Sequence, residues 1–235
     1  DLTDSLALKY ALNSNDIYNN SWGPLDTGTI DPLGPLTAAT FAEGTSNGRN
    51  NKGTIYTWAG GNGRDDEDNS NYDGYANSRY VIAVAAMHQN GGYASYSEPG
   101  ANLLIAAPAD PVTTTDIMGE NGYDTSNYTS TFNGTSSATP LVSGVVALML
   151  QANSELGWRD VQHILVDSAS KVDINSTGWF TNAAGKEFNN DYGFGRINAD
   201  AAVTLAKGWT NVSSERTFAN SESPGVQIPD SGNGV

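Results

Sequence analysis

Asn133-Gly134-Thr135-Ser136-Ser137-Ala138-Thr139-Pro140 runs directly into the apolar stretch Leu141-Val142-Ser143-Gly144-Val145-Val146-Ala147-Leu148-Met149-Leu150. A Gly-Thr turn followed by such a run predicts a buried helix that starts beside small hydroxyl residues. At a helix start the first N–H groups have no intrahelical partners, and the dipole's positive end favours developing negative charge. Ser136 therefore occupies a good position for a nucleophilic hydroxyl, and Gly134 lets a substrate backbone approach closely. Pro140 suits a first helical turn, where its missing N–H costs nothing. The same run also reads, without chemistry, as a Ser/Thr-capped core helix.

Working outward, strand-like runs at Ile17–Trp22, Gly53–Ala59, Tyr80–Ala86 and Leu103–Ala106 alternate with helix-like stretches. The latter fall near Leu2–Leu12, Leu36–Asn47, Pro140–Asn153, Trp158–Ala169 and Ala199–Lys207. Strands that are apolar on both faces and alternate with helices predict an α/β fold, a parallel sheet flanked by helices in three layers. The Thr/Asp/Asn/Gly/Tyr-rich stretch from Pro108 to Asn133 has no clear period and reads as a long loop, bordering a site or merely inserted. Beyond Trp209 the composition turns to Ser, Asn, Pro and Gly, as in a linker.

The 235 residues suffice for one domain with a substantial core. Lys and Arg number 11 against 26 Asp and Glu, a net charge of −15. That balance argues against nucleic-acid and anionic-membrane partners and fits cationic substrates, Ca²⁺ or simple solubility. The apolar run Leu141–Leu150 is shorter than a bilayer span. The absence of cysteine excludes disulfides and thiol chemistry.

Several further segments accompany the serine motif. They are Ser21-Trp22-Gly23-Pro24, Trp58-Ala59-Gly60-Gly61-Asn62-Gly63, Tyr72-Asp73-Gly74-Tyr75-Ala76-Asn77-Ser78, Trp158-Arg159-Asp160-Val161-Gln162-His163 and Tyr192-Gly193-Phe194-Gly195. Together they resemble the kexin/furin branch of the subtilisin-like serine proteases, from about Asp4 to Trp209. The resemblance implies a three-layer subtilisin-like fold and a serine endopeptidase that cuts after basic residues. It implies Ser136 as nucleophile, with its own N–H and the Asn62 side-chain amide as oxyanion donors. Read alone, Asn62 is only a turn residue tolerant of positive φ. Ser21, Trp22 and Gly23 resemble one strand, and Trp58, Ala59 and Gly60 the other, that sandwich a substrate added as a β-strand, with Thr135 beside the nucleophile. The alternative is that these are sheet strands with the tryptophans as core, more credible for Trp58 than for Trp22.

Asp68 and Asp73 stand six and eleven residues beyond Asn62, spacings that match the furin/kexin pattern. The resemblance implies that Asp26, Asp68 and Glu98 bind a Ca²⁺ under the primary specificity pocket and that Asp73, with Asp26, lines it. Asp31 could attract a second basic residue further upstream. Asp65, Asp66 and Glu67 read as a solvated acidic loop.

Of the chain's two histidines, His88 reads as a surface turn residue and His163 as a structural residue on a helix. The family order of Asp, His and Ser places the other two triad members before Asp4. The expectation is therefore residues 1–209 as the C-terminal part of a catalytic domain, with the Asp and His supplied by a preceding segment or a companion chain. Residues 210–235 read as a linker and the start of a P-domain, with Val226–Asp230 as its first strand. An extracytoplasmic location follows from the resemblance. The rival expectations are a non-catalytic module that binds Ca²⁺ and basic peptides, and a fragment that does not function unaided.

Overall fold

The computed structural model describes residues 1–216, and the strand expected at Val226–Asp230 lies outside them. Four strands form one parallel sheet in the order β1-β2-β3-β4. They are β1 (Ile17–Asn20), β2 (Ile55–Ala59), β3 (Val81–His88) and β4 (Leu103–Asp110). The register runs from Ile17 opposite Ile55 to Asn20 opposite Trp58, and from Tyr56 opposite Val81 to Ala59 opposite Val84. Strands β2 and β3 are buried on both faces, which is why they read as unbroken apolar runs instead of alternating ones.

The period of two divides the core into two layers. Ile55, Ile82, Val84 and Ala86 point to a cluster with Val142, Val146 and Met149 of α3 (Thr135–Ala152), Ile164 of α4 (Trp158–Ser168) and Ala202 of α5 (Ala199–Lys207). Tyr56, Trp58, Val81, Ala83 and Ala85 point the other way, to Leu8 of α1 (Leu2–Leu8) and Phe41 of α2 (Pro35–Asn51). The result is the expected three-layer α/β architecture. Helix α3 is long and apolar enough by length and composition to cross a bilayer. Its buried face instead forms the centre of the core, with Val142, Val146 and Met149 all fully inaccessible.

Two expectations change. Helix α3 begins at Thr135, so Pro140 lies inside it and not in its first turn. A proline there withholds the N–H that would have bonded the Ser136 carbonyl four residues back. The Ser21 hydroxyl donates to that carbonyl instead, at 2.9 Å. The long stretch after Pro108 is not structureless. Strand β4 extends to Asp110, and β5 (Val112–Thr115) pairs antiparallel with β6 (Tyr128–Phe132). Most of its side chains are exposed or half-exposed, so no apolar alternation marks the hairpin. A last short pair, β7 (Phe180–Thr181) with β8 (Glu187–Phe188), precedes α5.

The two faces of α3 allow a packing test. Truncating Met149, which is fully buried, to Ala should cost about 2–5 kcal/mol of stability in denaturant unfolding. Leu148 is 48% exposed, and its replacement by Ala should cost below about 1 kcal/mol. Equal losses would mean that α3 does not pack as described.

Candidate active site

Parallel strands present their C-terminal ends along one edge of the sheet, and β1 and β2 separate there. Their pairing stops at Asn20 opposite Trp58, while the Gly60 N–H bonds to Val84 O of β3 at 2.9 Å. The gap opens into a crevice of about 130 Å³, at the position where open α/β sheets commonly bind ligands. Trp22 and Gly23 line one side of it, Ala59, Gly61 and Asn62 another, and Ser136 its end.

The turn before Ser136 is built around Gly134, the N-cap of α3, at φ +98° and ψ 156°. That conformation belongs to glycine. It places the Thr135 N–H and hydroxyl on Oδ1 of Asn62 at 2.8 and 3.0 Å. With Oδ1 engaged twice, the Asn62 amide turns its Nδ2 away from Thr135, free to donate elsewhere. Thr135 itself is fully buried; its hydroxyl also accepts the Gly61 N–H at 3.3 Å. Ser136 is the next residue, in the first turn, and its hydroxyl donates to Ser21 O at 3.2 Å.

Several residues expected at the site sit behind it. Trp58 is fully buried and stacks on Tyr75 with centroids 4.9 Å apart. Trp22 is 43% exposed and packs edge-on against Trp58 at 4.7 Å, so the buried ring supports the exposed one. Gly60 faces inward, where a Cβ would meet Leu103 at 2.8 Å. Ser21 contacts the Ser136 backbone and does not line the crevice. Neither histidine lines it. His88 lies at the end of β3 with Nδ1 3.3 Å from Asp110 O, and His163 lies on α4 beside Lys186 and Phe194.

The acids come from separate loops. Asp26, Asp68 and Glu98 bring their carboxylate oxygens within 4.8 Å of one another. Asp68 accepts N–H groups from Gly28 and Asn69 at 3.0 and 2.8 Å, and Glu98 accepts from Gly63 at 2.9 Å. Glycines make this approach possible. A Cβ on Gly61 would lie 2.3 Å from the Glu98 carboxylate, and one on Gly63 would lie 2.4 Å from Asp26 Cβ. Burial first, then repulsion from Asp68, Asp26 and Asp73, pushes Glu98 up to about 8 against the pull of the Gly63 N–H. Burial likewise raises Asp26. Three crowded carboxylates, two of them buried, form an all-oxygen donor set suited to a hard divalent cation.

Asp73 lines the same crevice. Its Oδ2 lies 3.1 Å from where a Gly23 Cβ would be, so glycine at position 23 leaves the carboxylate open to the crevice. Burial first, with Asp31 and Asp26 adding repulsion, raises Asp73 to about 6 despite N–H bonds from Tyr75 and Ala76. Asp31 lies alongside, where Gly74 N donates to its backbone carbonyl at 2.9 Å. Pro24, Leu25, Thr29 and Tyr72 also line the crevice. Gly61 and Tyr72 fall within the segments that carry the resemblance, whereas nothing in the sequence marked Thr29.

The raised carboxylates give stability a sign with respect to pH. Each binds its proton more tightly folded than unfolded, so without a cation stability is full below the unfolded values and declines as pH rises through the folded ones. With Glu98 at about 8 and Asp73 at about 6, chelator-treated protein should lose melting temperature progressively from pH 5 to pH 8. Saturating Ca²⁺ should remove most of that decline, because the ion competes for the deprotonated carboxylates. A flat melting temperature across the range in chelator would contradict the described burial.

The sequence and the fold both have recognisable relatives. The family model described as the subtilase family matches residues 2–195. Furin-1 of Xenopus laevis is 36% identical over 228 residues, covering 93% of this chain and 28% of that protein. A dibasic-processing endoprotease of Yarrowia lipolytica is 37% identical over 224 residues, covering 92% of this chain and 23% of that protein. The crystal structure of the serine protease of Aeromonas sobria superposes with a TM-score of 0.80 at 26% identity, covering 89% of this chain and 47% of that one. The chain thus spans 23% to 47% of the length of these relatives. With the family model matched over residues 2–195, this chain belongs to the subtilase family.

Proposed function

We propose that this chain carries the nucleophile, oxyanion donors and specificity pocket of an extracytoplasmic serine endopeptidase that cuts after basic residues. The supporting observation is the convergence in one crevice of Ser136, Asn62 and five carboxylates. Ser136 Oγ attacks the scissile carbonyl carbon, and its proton passes to a general base. Asn62 Nδ2 and the Ser136 N–H hold the resulting oxyanion, an interaction whose single-donor loss typically costs about 2.7–4 kcal/mol. The C–N bond then breaks, the amine departs with the proton, and water repeats the sequence to release the acid.

Asp73 and Asp26 give the pocket its preference for Arg or Lys, with Arg able to pair with a carboxylate bidentately. The Yarrowia relative is named a dibasic-processing endoprotease, which agrees with that preference. Asp31, on the rim, adds attraction for a second basic residue. Asp26, Asp68 and Glu98 would hold Ca²⁺, which supplies positive charge that lets the three carboxylates remain ionised together. The triad's Asp and His come from a preceding segment or a partner chain, and a P-domain follows. One observation favours a second reading, a peptide-binding module without catalysis: neither histidine lines the crevice.

Turnover separates the two. The isolated chain should neither hydrolyse a fluorogenic Arg substrate nor react appreciably with a fluorophosphonate, since an oxyanion hole without a working triad retains only ~10³–10⁴ over water. Adding the segment or partner that supplies His should restore both, with the label on Ser136, and Ser136→Ala should abolish them. In that complete enzyme Asp73→Asn should lower kcat/KM for Arg substrates at least about tenfold more than for apolar ones. Equal losses for both would assign Asp73 to structure, and hydrolysis that requires His88 or His163 would refute the proposed origin of the base.

A further inference from the structure

We propose that Tyr96 is a positioning residue through which the acid cluster sets the reactivity of Ser136, an inference that rests on the serine-nucleophile reading above. The phenol oxygen of Tyr96 accepts the Gly134 N–H at 2.8 Å and lies 3.5 Å from Ala109 O. Gly134 is the residue whose positive φ starts α3 and aims both Thr135 donors at Asn62. Its N–H precedes the helix and so has no partner within it. The phenol is therefore the outside contact that fixes the turn.

Two residues along, Glu98 engages the opposite side of Asn62. Its carboxylate takes the Gly63 N–H at 2.9 Å, and its own N–H bonds to Gly61 O at 3.3 Å. Asn62 is thus clamped twice, by Glu98 through its two neighbours and by Thr135 through its side chain. The link between the clamps is stiff. Ser97 Oγ accepts the Ala86 N–H of β3 at 3.0 Å. Arg64 donates from Nε to Ser97 O at 2.6 Å and from its backbone N–H to Tyr96 O at 3.3 Å. A segment of three residues held at every position cannot move at one end alone. When Glu98 is drawn to a cation, Tyr96 is held in place, and Gly134 with it. When the carboxylates repel one another, the strain reaches the same turn.

Tyr96→Phe tests this, since it keeps the ring and removes only the acceptor. In the complete enzyme at saturating Ca²⁺, fluorophosphonate labelling of Ser136 and kcat should both fall ~10- to 100-fold, the scale expected when a catalytic group is slightly misplaced. KM for the Arg substrate should stay within about twofold, because the pocket carboxylates are untouched. Amide exchange supplies a readout independent of activity. In the wild type, adding Ca²⁺ alone should slow exchange at both Gly63 and Gly134. In Tyr96→Phe it should slow Gly63 only. Equal slowing of Gly134 in both proteins, or labelling of the variant at the wild-type rate, would overturn the proposal. Should the variant not fold, the wild-type titration decides: Gly134 exchange indifferent to Ca²⁺ overturns the coupling. If the wild-type enzyme labels at a residue other than Ser136, the nucleophile reading itself fails, and this inference fails with it.

Discussion

The double hydrogen bond from Thr135 to Asn62 fixes the start of α3 to the turn that follows β2. Thr135 opens α3 and Asn62 ends the turn after β2, 73 residues apart in sequence. Because the threonine is fully buried, its two donors act in a low-dielectric setting, where hydrogen bonds are stronger and an unmade one is costly. Both donors converge on one oxygen, so the interaction fixes the direction of the Asn62 amide as well as its distance. The elements behind it are rigid: β2 is buried at every residue, and α3 is the central core helix. A side chain held from a rigid scaffold keeps its geometry better than one carried on a free loop.

Electrostatic cost is concentrated on the other side of the crevice. Asp26, Asp68, Asp73 and Glu98 all line one cavity, and burial disfavours the charged form of each group it shifts. Such an arrangement persists only where steric room and a compensating charge are both available. The room comes from glycines, since a Cβ at position 23, 61 or 63 would press on Asp73, Glu98 or Asp26. On the proposed reading, the compensating charge is a bound cation deeper in the cluster and a substrate cation at Asp73.

Much of this was legible in the sequence, for identifiable reasons. Doubly buried strands produce continuous apolar runs, so β2, β3 and the core face of α3 could be located and the parallel sheet inferred. The serine motif and the glycine-rich turn at Asn62 stood out because both need unusual backbone. Illegible features depended on contacts distant in sequence. The β5–β6 hairpin is largely exposed on both faces and leaves no pattern. Pro140 read as a helix start because nothing local reveals that Ser21 satisfies the carbonyl it frees. Gly60 read as a cleft residue, although its inward side packs against Leu103. Tyr96 gave no signal at all, since a tyrosine two residues before an acid acquires meaning only when its hydroxyl is found on Gly134.

The division of labour between core and loops has a mechanical consequence. Ser136 and Asn62 inherit their positions from α3 and β2, which are secured by apolar burial on both sides of the sheet. The acids inherit theirs from loops secured largely by polar contacts, through Gly28, Gly63 and Asn69 N–H groups. Apolar burial is indifferent to pH and to cations, whereas crowded carboxylates respond to both. On the proposed reading, the Ser136 end of the crevice is therefore anchored by the core, and what sensitivity it has to pH and cations comes from the acid-lined end. Tyr96 matters because it belongs to both: its backbone lies in the acid-bearing segment and its hydroxyl in the turn that the core holds.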